Sequence, residues 1–169
     1  MEKYIPVVVI KEMSETDKIL TALQNSDINC AEITFRTACA AEAIKYAREN
    51  YPTMNVGAGT VINAEQCEAA LKAGAQFIVS PGLSVDVAKI CNKKNIPYYP
   101  GCVTPTEIMQ ALELGITTVK FFPANIYGGL FENNHAVYGK DFAVQYGVLN
   151  IGAKVQLDEV CFVAKPQAK

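Results

Sequence analysis

The hydrophobic residues of this chain fall into short blocks, separated by longer stretches where they recur every three or four positions. The blocks are IPVVVI (5–10), CAEITFR (30–36), MNVGAGTV (54–61), QFIVSP (76–81), IPYYPGC (96–102) and TTVKFFPA (117–124). Short runs with turn residues at their ends, several of them rich in β-branched and aromatic residues, read as strands. The intervening stretches 15–24, 38–50, 64–73, 85–94 and 105–114 read as amphipathic helices. In 64–73, for example, Cys67, Ala70 and Leu71 form an apolar stripe and leave Glu65, Glu68 and Lys72 to solvent. The helix ends are marked as well. Thr104-Pro105-Thr106-Glu107 supplies an N-cap, a proline at the first helical position and a capping-box glutamate, and Asn63-Ala64-Glu65-Gln66 follows the same logic. Gly74 and Gly115 stand where a left-handed C-cap is wanted.

Strands alternating with helices at this spacing predict a parallel sheet, either doubly wound or closed as a (β/α)₈ barrel of the TIM type. The doubly wound reading wants a GxGxxG turn, and Gly57-Ala58-Gly59-Thr60 lacks the third glycine. Polar residues recur near the C-terminal ends of several strands, where barrel sites form, so the barrel is expected. Six strand–helix units are recognisable. Beyond Gly129 the rhythm changes to possible strands HAVYG, FAVQYGVLNI and VQLDEVCFVA without a helix between them. The chain is therefore divided into a barrel portion, 1–129, and a divergent tail, 130–169. The tail closes the barrel by an unfamiliar route, is the remnant of a fused module, or leaves a six-unit fragment whose open edges need partner chains.

Composition narrows the functional classes. The chain has 169 residues, 50% hydrophobic and 19% charged, enough for one domain with a real core. Net charge is −2 with no basic run, so no nucleic-acid partner is expected. The longest apolar run near the N-terminus is too short to span a membrane, and no signal-peptide pattern appears, so a cytoplasmic location is expected. Six cysteines show no CxxC spacing and read as small hydrophobes rather than a disulfide framework. One histidine, His135, cannot build an imidazole metal cluster, so no metal is expected; His135 and Asp141 read as surface residues.

Three charges sit inside strand blocks. Side chains alternate faces along a strand, so Glu32, Thr34 and Arg36 share one face while Ala31, Ile33 and Phe35 share the other. Thr118, Lys120 and Phe122 share a face opposite Val119 and Phe121. The economical placement points Glu32, Arg36 and Lys120 into the barrel near its mouth. Two bland readings stand beside it: a structural Glu32–Arg36 ion pair, and a Lys120 that snorkels from a strand end. Chemically, a desolvated lysine attacks carbonyls to form Schiff bases, a neighbouring carboxylate moves protons, and an arginine clamps a carboxylate. Together they suit a metal-independent aldolase acting on a 2-oxo acid.

The segments AEITFRT (31–37), VGAGTV (56–61), AQFIVSPGL (75–83) and VKFFPA (119–124), in this order, resemble the 2-keto-3-deoxy-6-phosphogluconate/4-hydroxy-2-oxoglutarate aldolase family over residues 4–129. The resemblance implies a class I aldolase on a homotrimeric (β/α)₈ barrel, without a cofactor. Carried over by motif, Lys120 is the Schiff-base lysine and Glu32 the general acid/base. Arg36 and Thr60 clamp the pyruvate carboxylate, while Pro81 and Phe122 line the pocket. The implied reaction is cleavage of a 2-keto-3-deoxy sugar acid phosphate to pyruvate and glyceraldehyde 3-phosphate. The family's late glycine-rich turns, which bind phosphate, have no counterpart after Gly129. That shifts the expectation toward an unphosphorylated substrate such as 4-hydroxy-2-oxoglutarate, which yields glyoxylate. A competing expectation is a catalytically impaired barrel relic serving as a binding or assembly protein. Another phosphosugar isomerase or epimerase would need the same missing turn.

Overall fold

Five parallel strands lie side by side in chain order: β1 (Val7–Val8), β2 (Cys30–Thr34), β3 (Asn55–Gly59), β4 (Ile78–Ser80) and β5 (Tyr98–Pro100). The computed structural model describes residues 5–122 together with the strands Phe142–Gln145 and Phe162–Pro166. Each parallel pair is bridged by a helix: α1 (Thr16–Asn25, entered through a 3₁₀ turn at Met13–Glu15), α2 (Ala40–Asn50), α3 (Ala64–Lys72) and α4 (Val85–Lys94). A further helix, α5 (Pro105–Glu113), leads to β6 (Val119–Phe121), which joins β5 through a parallel bridge between Gly101 and Lys120. These are the six expected units, and they form a partial barrel of the (β/α) type. Every strand block and helix stretch of this region holds an element, with strands shorter than their apolar blocks because the ladder stops where loops begin.

The tail departs from a barrel. Its two described strands, β7 (Phe142–Gln145) and β8 (Phe162–Pro166), run antiparallel in the order β6-β8-β7. β8 pairs with the free edge of β6, Lys120 opposite Val163. Two of the three strand expectations in the tail thus hold a strand. For the last the strand begins near the C-terminal end of its block, at Phe162, and runs two residues past it to Pro166. The HAVYG expectation, His135 and Asp141 lie outside the described residues.

Two cores separate the faces of the parallel sheet. On the helix side, Ile10, Ala31, Ile33, Val56, Ala58 and Ile78 pack against Leu20, Leu23, Ile44, Ala70 and Val87 from the helices. Burying each such large aliphatic side chain stabilises by about 1.5–3 kcal/mol. On the opposite face, Cys30, Phe77 and Val79 form a small cluster with Ile5 and Tyr99. Between α3 and α4, Cys67 and Cys91 face each other with Sγ atoms 3.8 Å apart. The five described cysteines are thiols rather than disulfides, in keeping with small hydrophobes; Cys161 lies outside the described residues. Burial pushes the Cys102 thiol up to about 12, which leaves it inert at neutral pH.

The helix ends behave as the sequence predicts. Gly74 and Gly115 take φ of +96° and +76°. Thr104 Oγ1 accepts from the Glu107 amide at 3.3 Å, and Glu107 Oε2 accepts from the Thr104 amide at 2.8 Å. At α3 the motif is looser: Asn63 accepts from the Gln66 amide, but Gln66 reaches past the cap to the Ile62 amide. Replacing Thr104 with alanine is expected to cost about 1 kcal/mol, read by chemical denaturation. The amides of Thr104 and Val103 hold the Glu107 carboxyl below its ordinary value of 4.5. A depressed carboxyl stabilises above its unfolded pKa, and that contribution fades as pH falls through the folded one. The stability gap between wild type and Glu107→Gln should therefore be full near neutrality and shrink as the pH drops below about 4.

Candidate active site

Lys120 is the middle residue of β6 and is 8% exposed, while Glu32 is the middle residue of β2 and is 2% exposed. Their orientation follows from the register. Glu32 lies opposite Gly57. The Ala58–Ile78 and Ile78–Tyr98 pairs carry that row to Phe77 and Pro97, and the Gly101–Lys120 bridge carries it to Ile116. Residues two apart share a face, so Gly101 lies on the side of Tyr99 and Val79, and Lys120, bridged to Gly101, points to the same side as Glu32, Phe77 and Val79. This is the inner face. In an eight-stranded barrel of shear 8 the register climbs about four residues over the four steps from β2 to β6. The offset between Glu32 and Lys120 has this size.

Glycines make room for the charged groups. A Cβ built on Gly59 would collide with the Glu32 carboxylate, so that carboxylate lies over the bare backbone of the next strand. A Cβ on Gly57 would meet the Phe77 ring. One on Gly101 would strike the Pro81 carbonyl, so the β4 end and the lysine strand approach through a position only glycine allows. The Lys120 backbone is held on both edges: its carbonyl accepts from the Cys102 amide at 2.8 Å on the β5 side, and Val163 of β8 lies opposite it on the other. Lys120 Nζ stands 4.5 Å from the centroid of the half-buried Phe122 ring, within cation–π range.

The remaining predicted residues cluster at the C-terminal strand ends. Arg36 is exposed two residues past β2, Thr60 is half-buried one residue past β3, and Pro81 is exposed one residue past β4. The Phe35 amide donates to the Gly59 carbonyl at 2.7 Å, which brings the Arg36 and Thr60 backbones side by side. Thr60 adopts φ +55°, an unfavourable left-handed conformation for a β-branched residue. It breaks the alternation, because Val61, which the strand pattern would point inward, instead joins the helix-side core. Strain of this kind concentrates at ligand-binding positions. The strand therefore ends earlier than the 54–61 block predicts.

Two residues here have no role in the sequence pattern: Gly101, and Thr34 beyond the face it shares with Glu32. Glycine within a strand block was the available signal for the first; a threonine on the Glu32 face was the signal for the second. Among the described residues, no group of three or more metal-ligating side chains comes together. No helix among them is long and apolar enough to cross a membrane.

Comparison with known proteins adds independent findings. The family model for KDPG and KHG aldolase matches residues 1–144. The 2-dehydro-3-deoxy-phosphogluconate aldolase of Treponema pallidum is 45% identical over 127 residues, covering 75% of this chain and 60% of that protein. Among solved structures, the 2-keto-3-deoxy-6-phosphogluconate aldolase of Zymomonas mobilis superposes with a TM-score of 0.71 at 42% identity, over 75% of this chain and 61% of that one. The KDPG aldolase of Legionella pneumophila, with pyruvate captured as a covalent carbinolamine, superposes with a TM-score of 0.75 at 35% identity. It covers 80% of this chain and 67% of that one. The chain thus spans about 60% of the length of the curated relatives it matches.

Proposed function

The chain belongs to the KDPG and KHG aldolase family, and from that premise we propose that it is a class I aldolase cleaving a 2-oxo acid to pyruvate and an aldehyde. The observation that carries this reading is the placement of two buried charged side chains, Lys120 and Glu32, on one inner sheet face. A buried lysine and a buried glutamate are costly and call for a use.

In this reading Lys120 Nζ adds to C2 of the 2-oxo acid, giving a carbinolamine. Glu32 as the acid protonates its hydroxyl, water leaves, and an iminium remains on Lys120. The Glu32 carboxylate then takes the proton of the C4 hydroxyl. The C3–C4 bond breaks, the aldehyde departs, and the electron pair moves into the iminium to give an enamine. Protonation at C3 and hydrolysis release pyruvate and restore the amine. Arg36 and Thr60 hold the substrate carboxylate, and Pro81 and Phe122 bound the methyl side of the pocket. The strained Thr60 backbone beside Arg36 supports that assignment.

The substrate is proposed to be of the 2-keto-3-deoxy-6-phosphogluconate or 4-hydroxy-2-oxoglutarate type, giving pyruvate with glyceraldehyde 3-phosphate or glyoxylate; the names of the similar proteins support the first. Residues 1–129 are proposed to form the barrel portion. The tail, 130–169, is proposed to cover the edge of the lysine strand, with homotrimer assembly as in the resemblance noted above. A non-catalytic pyruvate-binding barrel is the rival reading.

The deciding experiment is borohydride reduction of the purified protein in the presence of pyruvate, read by intact and peptide mass spectrometry. The expected result is an adduct of pyruvate less water plus two hydrogens on Lys120. A folded protein that yields no adduct leaves only the non-catalytic reading.

A further inference from the structure

Thr34 is fully buried, and its Oγ1 finds no hydrogen-bond partner among the described residues. It is the last residue of β2, two beyond Glu32 on the same inner face, and it stands opposite Gly59. Gly59 is the residue over which the Glu32 carboxylate lies. A buried hydroxyl left unpaired is destabilising, and a valine of nearly the same shape would avoid that cost. The neighbours Ala31 and Ile33 show that this strand readily accommodates apolar side chains on its other face. The hydroxyl therefore points to a partner that arrives with the reaction.

We propose that Thr34 is a positioning residue for the water exchanged during imine formation; the proposal rests on the aldolase reading above. When the carbinolamine on Lys120 collapses, its hydroxyl takes a proton from the Glu32 carboxylic acid and leaves as water. The nitrogen lone pair forms the C=N bond, and Glu32 is left as carboxylate. That water is released onto the inner face beside Phe77 and Val79, whose side chains offer it no hydrogen bonds. The Thr34 hydroxyl, on the mouth side of Glu32, donates to it and accepts from it while Glu32 holds its other side. In hydrolysis the same pair aims the water back at the iminium carbon. Thr60, the other hydroxyl at this end of the site, follows Gly59 across the strand pair and is only half-buried. It is assigned to the substrate carboxylate rather than the water.

The test is a rapid-quench time course in which wild type, Thr34→Val and Thr34→Ser are mixed with saturating pyruvate and reduced with borohydride at increasing delays. Thermal melts of all three accompany it. Thr34→Val is expected to form the Lys120 adduct about tenfold more slowly or worse, while reaching the same final yield, and to melt no lower than wild type. Thr34→Ser should recover the wild-type rate to within about threefold. An unchanged rate in Thr34→Val overturns the proposal and leaves the aldolase reading intact. So does a Thr34→Val protein that unfolds or melts well below wild type, since the hydroxyl then has a partner inside the fold. A serine variant as slow as the valine variant also overturns it. A wild-type protein that gives no adduct at all sinks the aldolase reading and this one together.

Discussion

Lys120→Met is expected to eliminate the borohydride-trapped adduct and to lower aldolase turnover by a factor on the order of 10⁴ or more, because the covalent route disappears with the amine. Methionine is the informative replacement. It keeps an unbranched apolar stem of similar length beside Phe122, whose ring lies 4.5 Å from the native ammonium. Removing a buried charge also removes its desolvation cost, so the variant should melt at or above the wild-type temperature. The combination of intact fold and lost chemistry separates a nucleophile from a structural cation. A fall in melting temperature with turnover retained would mean that Lys120 serves the fold. Steady-state cleavage assays with 4-hydroxy-2-oxoglutarate and with the phosphorylated sugar acid, alongside melts, check both parts.

The second large effect concerns two glycines that differ in what an added methyl group meets. At Gly101 the methyl would strike the Pro81 carbonyl, a backbone atom with nowhere to go. Gly101→Ala is therefore expected to destabilise by about 3 kcal/mol, the upper end for overpacking, and to disturb the bridge that seats Lys120. At Gly59 the methyl meets only side-chain atoms of Glu32, from the carboxylate down to Cγ, which can shift where backbone cannot. Gly59→Ala should cost the fold much less, yet reduce turnover about 10²-fold or more by displacing the proton-transfer group. Denaturant melts and cleavage rates measured on both variants should show opposite weightings. Equal stability losses would mean that the Glu32 carboxylate is as rigidly held as a backbone carbonyl.

Much of this was legible in the residues. Helix ends were readable because capping is local: Thr104, Asn63, Gly74 and Gly115 act within a few residues of themselves. The inner face was readable because period-two alternation places Glu32 and Lys120 opposite purely apolar faces. The strand ends were less readable. Val61 continues an apolar block but leaves the inner face at the Thr60 kink, a backbone event that apolar patterning does not record. The glycine roles depend on contacts between residues 27 and 20 positions apart, Glu32 with Gly59 and Pro81 with Gly101, which no local pattern encodes. The antiparallel pairing of β8 with β6 was beyond local reading for the same reason.

That pairing bears on the order in which the molecule assembles. Partners in the parallel ladder are 19 to 25 positions apart, from Gly101–Lys120 to Val7–Glu32 and Cys30–Asn55. Each new strand can dock as soon as its helix is made. Lys120 and Val163 are 43 positions apart, so the second edge of the lysine strand closes over a loop nearly twice as long. Loop closure grows costlier with length, and distant contacts form late. On a ribosome the five-stranded sheet would emerge and consolidate first. The strand bearing Lys120 would wait, half-paired, until β8 emerged, so the step that completes the lysine's surroundings is among the last of folding.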